Sequence, residues 1–328
     1  MPIYSSKEIV SIADVKQIYL DALKRFPVMH LSPFEKIIDG SKSYILSRQM
    51  NGKVFLKPNI TKQGLLFRGD SKIYNPFTTK QRRNNNPAGL NYQRFEKIVN
   101  SFPLYKMLSG GVVLPNGETL CLENPYGLAY TYDVKTPFIG FTSDLDVAMF
   151  YATTSYDPDS GKFEIVKDGE GVLYAYELRQ PFRLTRSLST LGLQVFPRTF
   201  GQKTFLLQMP DEADLNQHHL VIGFKFNHQK EKAEEIFEQF KGGELLASTD
   251  DFLWKKLKRI EADSQEKTEF EERDLEELYQ HIDEYWESII SLIHFEKDEE
   301  DIRWFLKNLP HHSRYCRYFD LAQYYNER

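Results

Sequence analysis

The stretch GLLFRGDSKIYNP, Gly64–Pro76, sets an arginine and then a glycine directly after an apolar run. A short apolar run bounded by glycine reads as a buried strand. Arg68 at its end, abutting Gly69, is positioned like a ligand-binding group, because a residue without a side chain lets another body approach the backbone.

Outward from that strand the pattern alternates. Upstream, SYILSR and KVFLKP flank Asn51-Gly52, a dipeptide that favours a tight turn, so two short strands should meet there as a hairpin. Further back, SIADVKQIYLDALKRF, Ser11–Phe26, carries apolar residues at helical spacing with Ser11 or Asp14 as cap. Downstream, FTTKQRRNNNPAGLN is polar and rich in turn formers and reads as a surface loop, and YQRFEKIVNSFPLYKML is helical until Pro103 interrupts it. TPFIGFTS reads as a strand ending in two hydroxyls, and DLDVAMFYATTS as a helix that Asp144 caps. GVLYAYEL, KTFLLQMP and HHLVIGFKF follow as strands. From Gln229 onward the spacing is helical. This order argues for an α+β body followed by a helical C-terminal region. The chain divides into an N-terminal helical segment at 1–43, a body at 44–260 and an acidic helical region at 261–328.

With 328 residues, 41% hydrophobic and 27% charged, the chain can bury a sizeable core. No run approaches the roughly 18 apolar residues that span a bilayer, and MPIYSSKEIVSIADVK lacks an apolar signal core, so a cytoplasmic address and no membrane partner are expected. Cys121 and Cys316 are too few and too distant for a disulfide framework and read as free, buried thiols. His218-His219 and His311-His312 are adjacent pairs, which on a strand point to opposite faces and make poor metal sites. Gly-rich phosphate loops and a Gly-x-Ser-x-Gly elbow are absent.

Charge is uneven. From Arg48 to Lys106 there are twelve Lys/Arg against Asp70 and Glu96, while Glu261 to Asp301 holds seventeen acids against Lys267, Arg273 and Lys297. A basic patch around the opening strand concentrates phosphate-bearing ligands. Arg82, Arg83 and Arg94, interleaved with Tyr92 and Phe95, suit phosphate contacts and base stacking on RNA or DNA.

Three segments end an apolar run in polar groups: LLFRGDS with Arg68 and Gly69, IGFTSDLDVAMFYAT with Thr142 and Ser143, and FPRTFGQKTFLLQ with Gln202 and Thr204. Singly each has a plain structural explanation: Arg68 pairing with an acid, Ser143 capping a helix, Gln202 in a turn. In this order they resemble FRG-domain proteins, whose Phe-Arg-Gly motif is Phe67-Arg68-Gly69 here. Tyr126-Gly127-Leu128 is similar to the family's Tyr-Gly-Leu segment, and Thr142, Ser143, Val147, Ala148, Phe150 and Ala152 to the strand and helix of that family. RTFGQKTF resembles its Arg, Gln, Phe element, and HLVIGFKFNHQKEKAEEIFEQF its closing strand and helix. Departures are Asn124-Pro125 in place of Gln-His, and Ala129-Tyr130-Thr131 in place of Pro-Thr-Arg. The resemblance runs from Tyr44 to Ile260.

FRG domains in turn resemble the ADP-ribosyltransferase fold of the Arg-Ser-Glu branch. That implies a split β-sandwich with flanking helices around an NAD cleft, NAD being a substrate. On this resemblance Arg68, Ser143 and Gln202 would be catalytic, and Arg68, Gly69, Phe141, Thr142 and Tyr151 would hold NAD. Thr204 stands where the family's catalytic glutamate is expected. The implied reaction is transfer of ADP-ribose to a nucleic acid or protein by a bacterial toxin or anti-phage effector, with the acidic C-terminal helices contacting a protein partner or antitoxin. Releasing nicotinamide passes through an oxocarbenium-like ribose, so diphosphate binding, nicotinamide orientation and a nearby carboxylate are required. A permanently charged arginine fork suits phosphate or ribose oxygens, and Phe141 or Tyr151 suits stacking. Asp70, Asp133, Asp144 and Asp146 are the acids within or beside the motifs, Asp144 fitting a cap best. The alternative is a non-catalytic nucleotide- or nucleic-acid-binding module with a partner-binding helical tail.

Overall fold

Short apolar runs punctuated by turn formers pair into three sheets, and helices cover one face of the largest. The computed structural model describes residues 3–4, 11–24, 35–37, 44–60, 64–79, 92–113, 117–122, 124–178, 188–192, 194–196, 198–210, 213–249, 251–263, 267, 270 and 271. In chain order the elements are β1 (Ile3–Tyr4), α1 (Ile12–Leu23), β2 (Glu35–Ile37), β3 (Tyr44–Arg48), β4 (Lys53–Pro58) and β5 (Leu65–Asp70). Then come α2 (Tyr92–Ser101), α3 (Pro103–Gly110), β6 (Val112–Val113), β7 (Thr119–Leu120), α4 (Pro125–Thr131), β8 (Phe138–Thr142) and α5 (Leu145–Thr153). Four strands follow: β9 (Thr154–Asp157), β10 (Lys162–Ile165), β11 (Glu170–Glu177) and β12 (Leu188–Thr190). The remainder is α6 (Arg198–Gln202), β13 (Thr204–Gln208), β14 (Val221–Asn227), α7 (Lys230–Gln239), α8 (Glu244–Ala247) and α9 (Phe252–Ala262).

The main sheet has the order β1-β14-β11-β5-β8-β13-β12. Its pairs are antiparallel apart from β1 with β14. Side chains alternate between its faces with period two. On β11, Leu173 and Ala175 join Tyr19, Phe67, Ala148 and Phe150 in one apolar cluster, while Val172, Tyr174 and Tyr176 join Leu66, Phe77, Phe141 and Phe205 in another. Both faces are therefore buried. The first cluster is roofed by α1, α5 and α7, and a fully buried ring such as Phe150 is worth about 3–5 kcal/mol against truncation to alanine.

The N-terminal helix is built into this core. Ser11 and Asp14 form a capping box, with the Ser11 amide donating to Asp14 Oδ2 at 2.7 Å. One face of α1 buries Val15 and Tyr19, and the Tyr19 hydroxyl donates to the carbonyl of Leu173 on β11 at 2.8 Å. Burial pushes the pKa of that phenol up. At the other end, α9 runs through Ala262, past the boundary placed at 260, and Phe270 packs on Phe102.

The Asn51-Gly52 hairpin is present: Arg48 faces Val54 in an antiparallel pair, and Gly52 takes the left-handed φ of 81° that the turn requires. Pro103 divides α2 from α3 as its ring dictates. The polar loop expected after β5 departs from its reading at its start. Phe77 is fully buried, edge-on to Tyr74 and Tyr174, and its amide donates to Asp214 Oδ1 at 2.8 Å. His218 and His219 precede β14 instead of lying on it, and their rings stack at 5.1 Å instead of pointing apart. The β9–β10 hairpin and α4 were not legible as elements.

Candidate functional site

The main sheet splits between β5 and β8. Their pairing is confined to Phe67 with Thr142, and beyond it the Arg68 side chain bridges the strands. Its Nη1 donates to the Gly140 carbonyl at 2.9 Å and to the Tyr130 hydroxyl at 3.1 Å. Gly140 is required for this, because a Cβ there would come within 2.4 Å of the Tyr130 ring. Asp70, two residues on and so on the same strand face, accepts from Nε and Nη2 at 2.7 Å each. Phe77 lies under the guanidinium at 5.1 Å. Burial acts against the charge, but Asp70 and then Tyr130 outweigh it, so the Arg68 pKa is raised and the group stays cationic. The fork that sequence reading left free for phosphate is thus closed by Asp70, and Arg68 holds the split open at a fixed width.

Gly69 also corrects its reading. A Cβ there would sit 1.8 Å from the Ala148 carbonyl oxygen and 2.5 Å from the Ala152 amide. What approaches the backbone on its Cβ side is helix α5, while Gly69 also lines the cavity into which the split opens. Its neighbours Ala148 and Ala152 are fully buried, and that close helix–strand contact fixes α5 against β5.

The split opens into a cavity of about 870 Å³, within the range of small-molecule sites. Thr142 and Thr204 face each other in register across β8 and β13, and both line it. Tyr151, partly buried, presents its ring to the cavity from α5. Burial raises its phenol pKa, with Arg198 opposing and Asp133, Tyr130 and Tyr156 reinforcing. Phe141 reaches the wall, but its ring is buried edge-on to Tyr176 and unfit for stacking on a ligand. Ser143 is buried outside the wall, its amide donating to the Lys203 carbonyl at 3.3 Å, so Thr142 and not Ser143 brings the hydroxyl of this segment to the cavity.

Gln202 lines the cavity but ends α6 instead of entering the strand. Its Nε2 donates to the Leu246 carbonyl at 2.9 Å and braces α6 against α8. Of the acids singled out, Asp144 caps α5, accepting from the amides of Asp146 and Val147, and its second oxygen pairs with Lys203 at 3.0 Å. Asp146 pairs with Lys16 at 2.6 Å. Asp133 lines the cavity from a left-handed turn, φ 62°.

On the wall contributed by α6 and α9, sequence reading reached Gln202 but missed Arg198 and its surroundings. Arg198, its side chain 2% exposed, lies beside the Tyr132 ring at 5.0 Å and the Trp254 ring at 5.9 Å. Asp251 Oδ2 is 3.4 Å from Arg198 Nε. Asp251 also caps α9, with Oδ1 accepting from the amides of Leu253 and Trp254, while its Oδ2 accepts from Tyr132 at 2.5 Å. Burial raises the Asp251 carboxyl pKa against the pull of Arg198, Tyr132 and those amides. Burial opposes the Arg198 charge too, and Asp251 outweighs it, raising its pKa. An arginine between Phe196 and Phe200 was the available signal, since an arginine in an apolar segment needs a partner.

Of the arginines proposed to meet nucleic acid, the structure describes Arg94 alone. Arg82 and Arg83 lie outside the described residues. Arg94, half-buried on α2, is away from the cavity wall. Phe95 is fully buried in the core beside Tyr132, which corrects its reading as a stacking residue. Tyr92 stacks on the exposed Tyr126 at 3.8 Å. The acidic helices expected after Asp274, with Cys316 and His311-His312, also lie outside the described residues. Among the described residues no helix is long and apolar enough to cross a membrane. Set against family models, curated proteins and solved structures, the chain finds no match in any of the three.

Proposed function

We propose that the chain binds NAD in the cavity at the β5–β8 split and transfers ADP-ribose to a nucleic acid or protein. The observation that carries this reading is the convergence of β5, β8 and β13, the strands bearing or abutting the Arg68, Thr142 and Gln202 motifs, on one dinucleotide-sized cavity. On this reading the finer fold is the split ADP-ribosyltransferase sandwich. Arg68 sets the width of the cleft, Tyr151 supplies the aromatic face for nicotinamide, and Thr142 and Thr204 offer hydroxyls to the ribose. A carboxylate suits a developing ribose cation, and Asp133, which shares the cavity wall with Tyr151, takes that role in place of the glutamate absent at Thr204.

The test is nicotinamide release and label transfer from labelled NAD in the presence of cellular RNA, DNA and protein. Asp133→Asn preserves the left-handed turn that asparagine tolerates, and should lower release about a hundredfold without moving the melting temperature. Release equal to that of the unmodified chain would overturn the assignment of Asp133. NAD binding without any release favours the second reading, a non-catalytic nucleotide sensor, to which the brace from Gln202 to Leu246 lends support.

A further inference from the structure

Buried polar side chains among the described residues are mostly satisfied, and the exceptions on the cavity wall cluster. Arg198 and Tyr156 line the cavity, and Arg198 Nε and Nη2 and the Tyr156 hydroxyl are buried behind its surface and make no hydrogen bond. In Arg68 the same Nε–Nη2 edge grips Asp70 in a two-point contact. In Arg198 that edge is open. Asp251 lies 3.4 Å from Nε outside hydrogen-bond geometry, and its two oxygens already accept from Tyr132 and two amides. Tyr156 stands close enough to the guanidinium to raise the Arg198 pKa by charge and hydrogen-bonding reach, yet Arg198 Nε and Nη2 and the Tyr156 hydroxyl complete no hydrogen bond of good geometry.

Leaving a charged donor pair dry and unmatched is costly, and a group that accepts two parallel N–H donors and one O–H donor resolves it. We propose that Arg198 and Tyr156 form a phosphate subsite of the cavity, receiving one phosphate group of a nucleoside diphosphate or dinucleotide. A phosphate presents two oxygens to the Nε–Nη2 edge and a third to the Tyr156 hydroxyl. The surrounding elements hold these groups still. Tyr156 stands on β9, and the β9–β10 turn passes through Gly161, φ 70°, where a Cβ would strike the Trp254 ring at 2.4 Å. Trp254 is thereby held beside Arg198, and Lys258, one turn further along α9, stands on the wall paired with Glu261 at 2.6 Å, a half-exposed partner that a phosphate would compete with. Asp251 faces Arg198 from within the protein and cancels part of its charge, so the pull on a dianion rests on the open donors together with the cations of the wall.

This subsite deepens the NAD reading but is tested apart from it. Calorimetric titration of the full chain is run with inorganic pyrophosphate, ADP, adenosine and NAD at two salt concentrations. Pyrophosphate and ADP should bind with salt-sensitive affinity and adenosine should bind at least about tenfold more weakly than ADP. Tyr156→Phe removes one donor and should weaken ADP about threefold to tenfold. Arg198→Lys keeps the charge beside Asp251 but loses the two-point edge, and should weaken ADP tenfold or more while leaving adenosine unchanged. If neither pyrophosphate nor ADP binds, or if both variants bind ADP as the unmodified chain does, the subsite is refuted. ADP binding that depends on Arg198 without NAD binding would uphold the subsite and sink the NAD reading. NAD binding untouched by either variant would do the reverse.

Discussion

Replacing Gly69 with alanine separates the two meanings of a glycine beside Arg68. A ligand-facing glycine tolerates a methyl group in the unliganded protein and loses affinity. A glycine that seats a helix loses stability. The added Cβ would lie 1.8 Å from the Ala148 carbonyl oxygen and 2.5 Å from the Ala152 amide, where ordinary contacts begin near 3.4 Å. Relief requires α5 to move by about 1.5 Å, the difference between those contacts, since both atoms are backbone and cannot rotate away. That helix is locked by Ala148, Phe150 and Ala152, all fully buried, and by the capping and ion-pair contacts of Asp144. Overpacking costs about 1–3 kcal/mol as a rule, and an obstructed backbone contact belongs at the upper end. About 3 kcal/mol is a loss of about 6–12 °C in melting temperature for a unit of this size. The assay is thermal or urea unfolding of Gly69→Ala beside Gly110→Ala, whose Cβ meets nothing within 4 Å. An unchanged melting temperature for Gly69→Ala would refute the helix-seating role.

Two further outcomes follow from particular contacts. Gln202→Glu replaces the donor facing the Leu246 carbonyl with an acceptor, so it should cost about 1–3 kcal/mol in unfolding experiments and should not raise nicotinamide release; a gain in release would show that position 202 acts on the ribose after all. The His218 imidazole has its pKa lowered by burial and then by stacked His219, and its Nδ1 accepts from the Leu220 amide, a bond that protonation of that nitrogen breaks. The unfolded chain therefore takes up the proton first, and stability should fall as pH drops below the ordinary imidazole value of about 6.5. His218→Gln should flatten that slope in denaturation measured from pH 7.5 to 5, and an unaltered slope would assign it to other groups.

Local signals carried a good part of the architecture. The Asn51-Gly52 turn, the capping residues Ser11 and Asp144, and the break at Pro103 act over one or two turns of chain, so neighbouring residues suffice to reveal them. The strands around Arg68, Thr142 and Thr204 were legible for the same reason, as apolar runs with polar ends. The β9–β10 hairpin was not, because its strands are four residues each, TSYD follows α5 without a break and carries a single apolar ring, and only KFEI alternates. Phe77, inside a polar loop, was hidden because its burial depends on Tyr174 from β11 and Asp214 from the segment before β14, both far from it along the chain.

By itself the sequence determined an α+β body with strands at Arg68, Thr142 and Thr204, and it supplied Asp70 at the alternate position that places it on the face of Arg68. Tertiary structure decided what each does. It closed Arg68 onto Asp70 and Gly140, filled the space above Gly69 with α5, tied Gln202 to Leu246, and set Arg198 open on the far wall. Arg198 acquires its setting from Tyr132 and Asp251, which are 119 positions apart along the chain. A charge's availability depends on every donor and acceptor within a few ångströms of it, and those neighbours come from distant segments that only folding brings together.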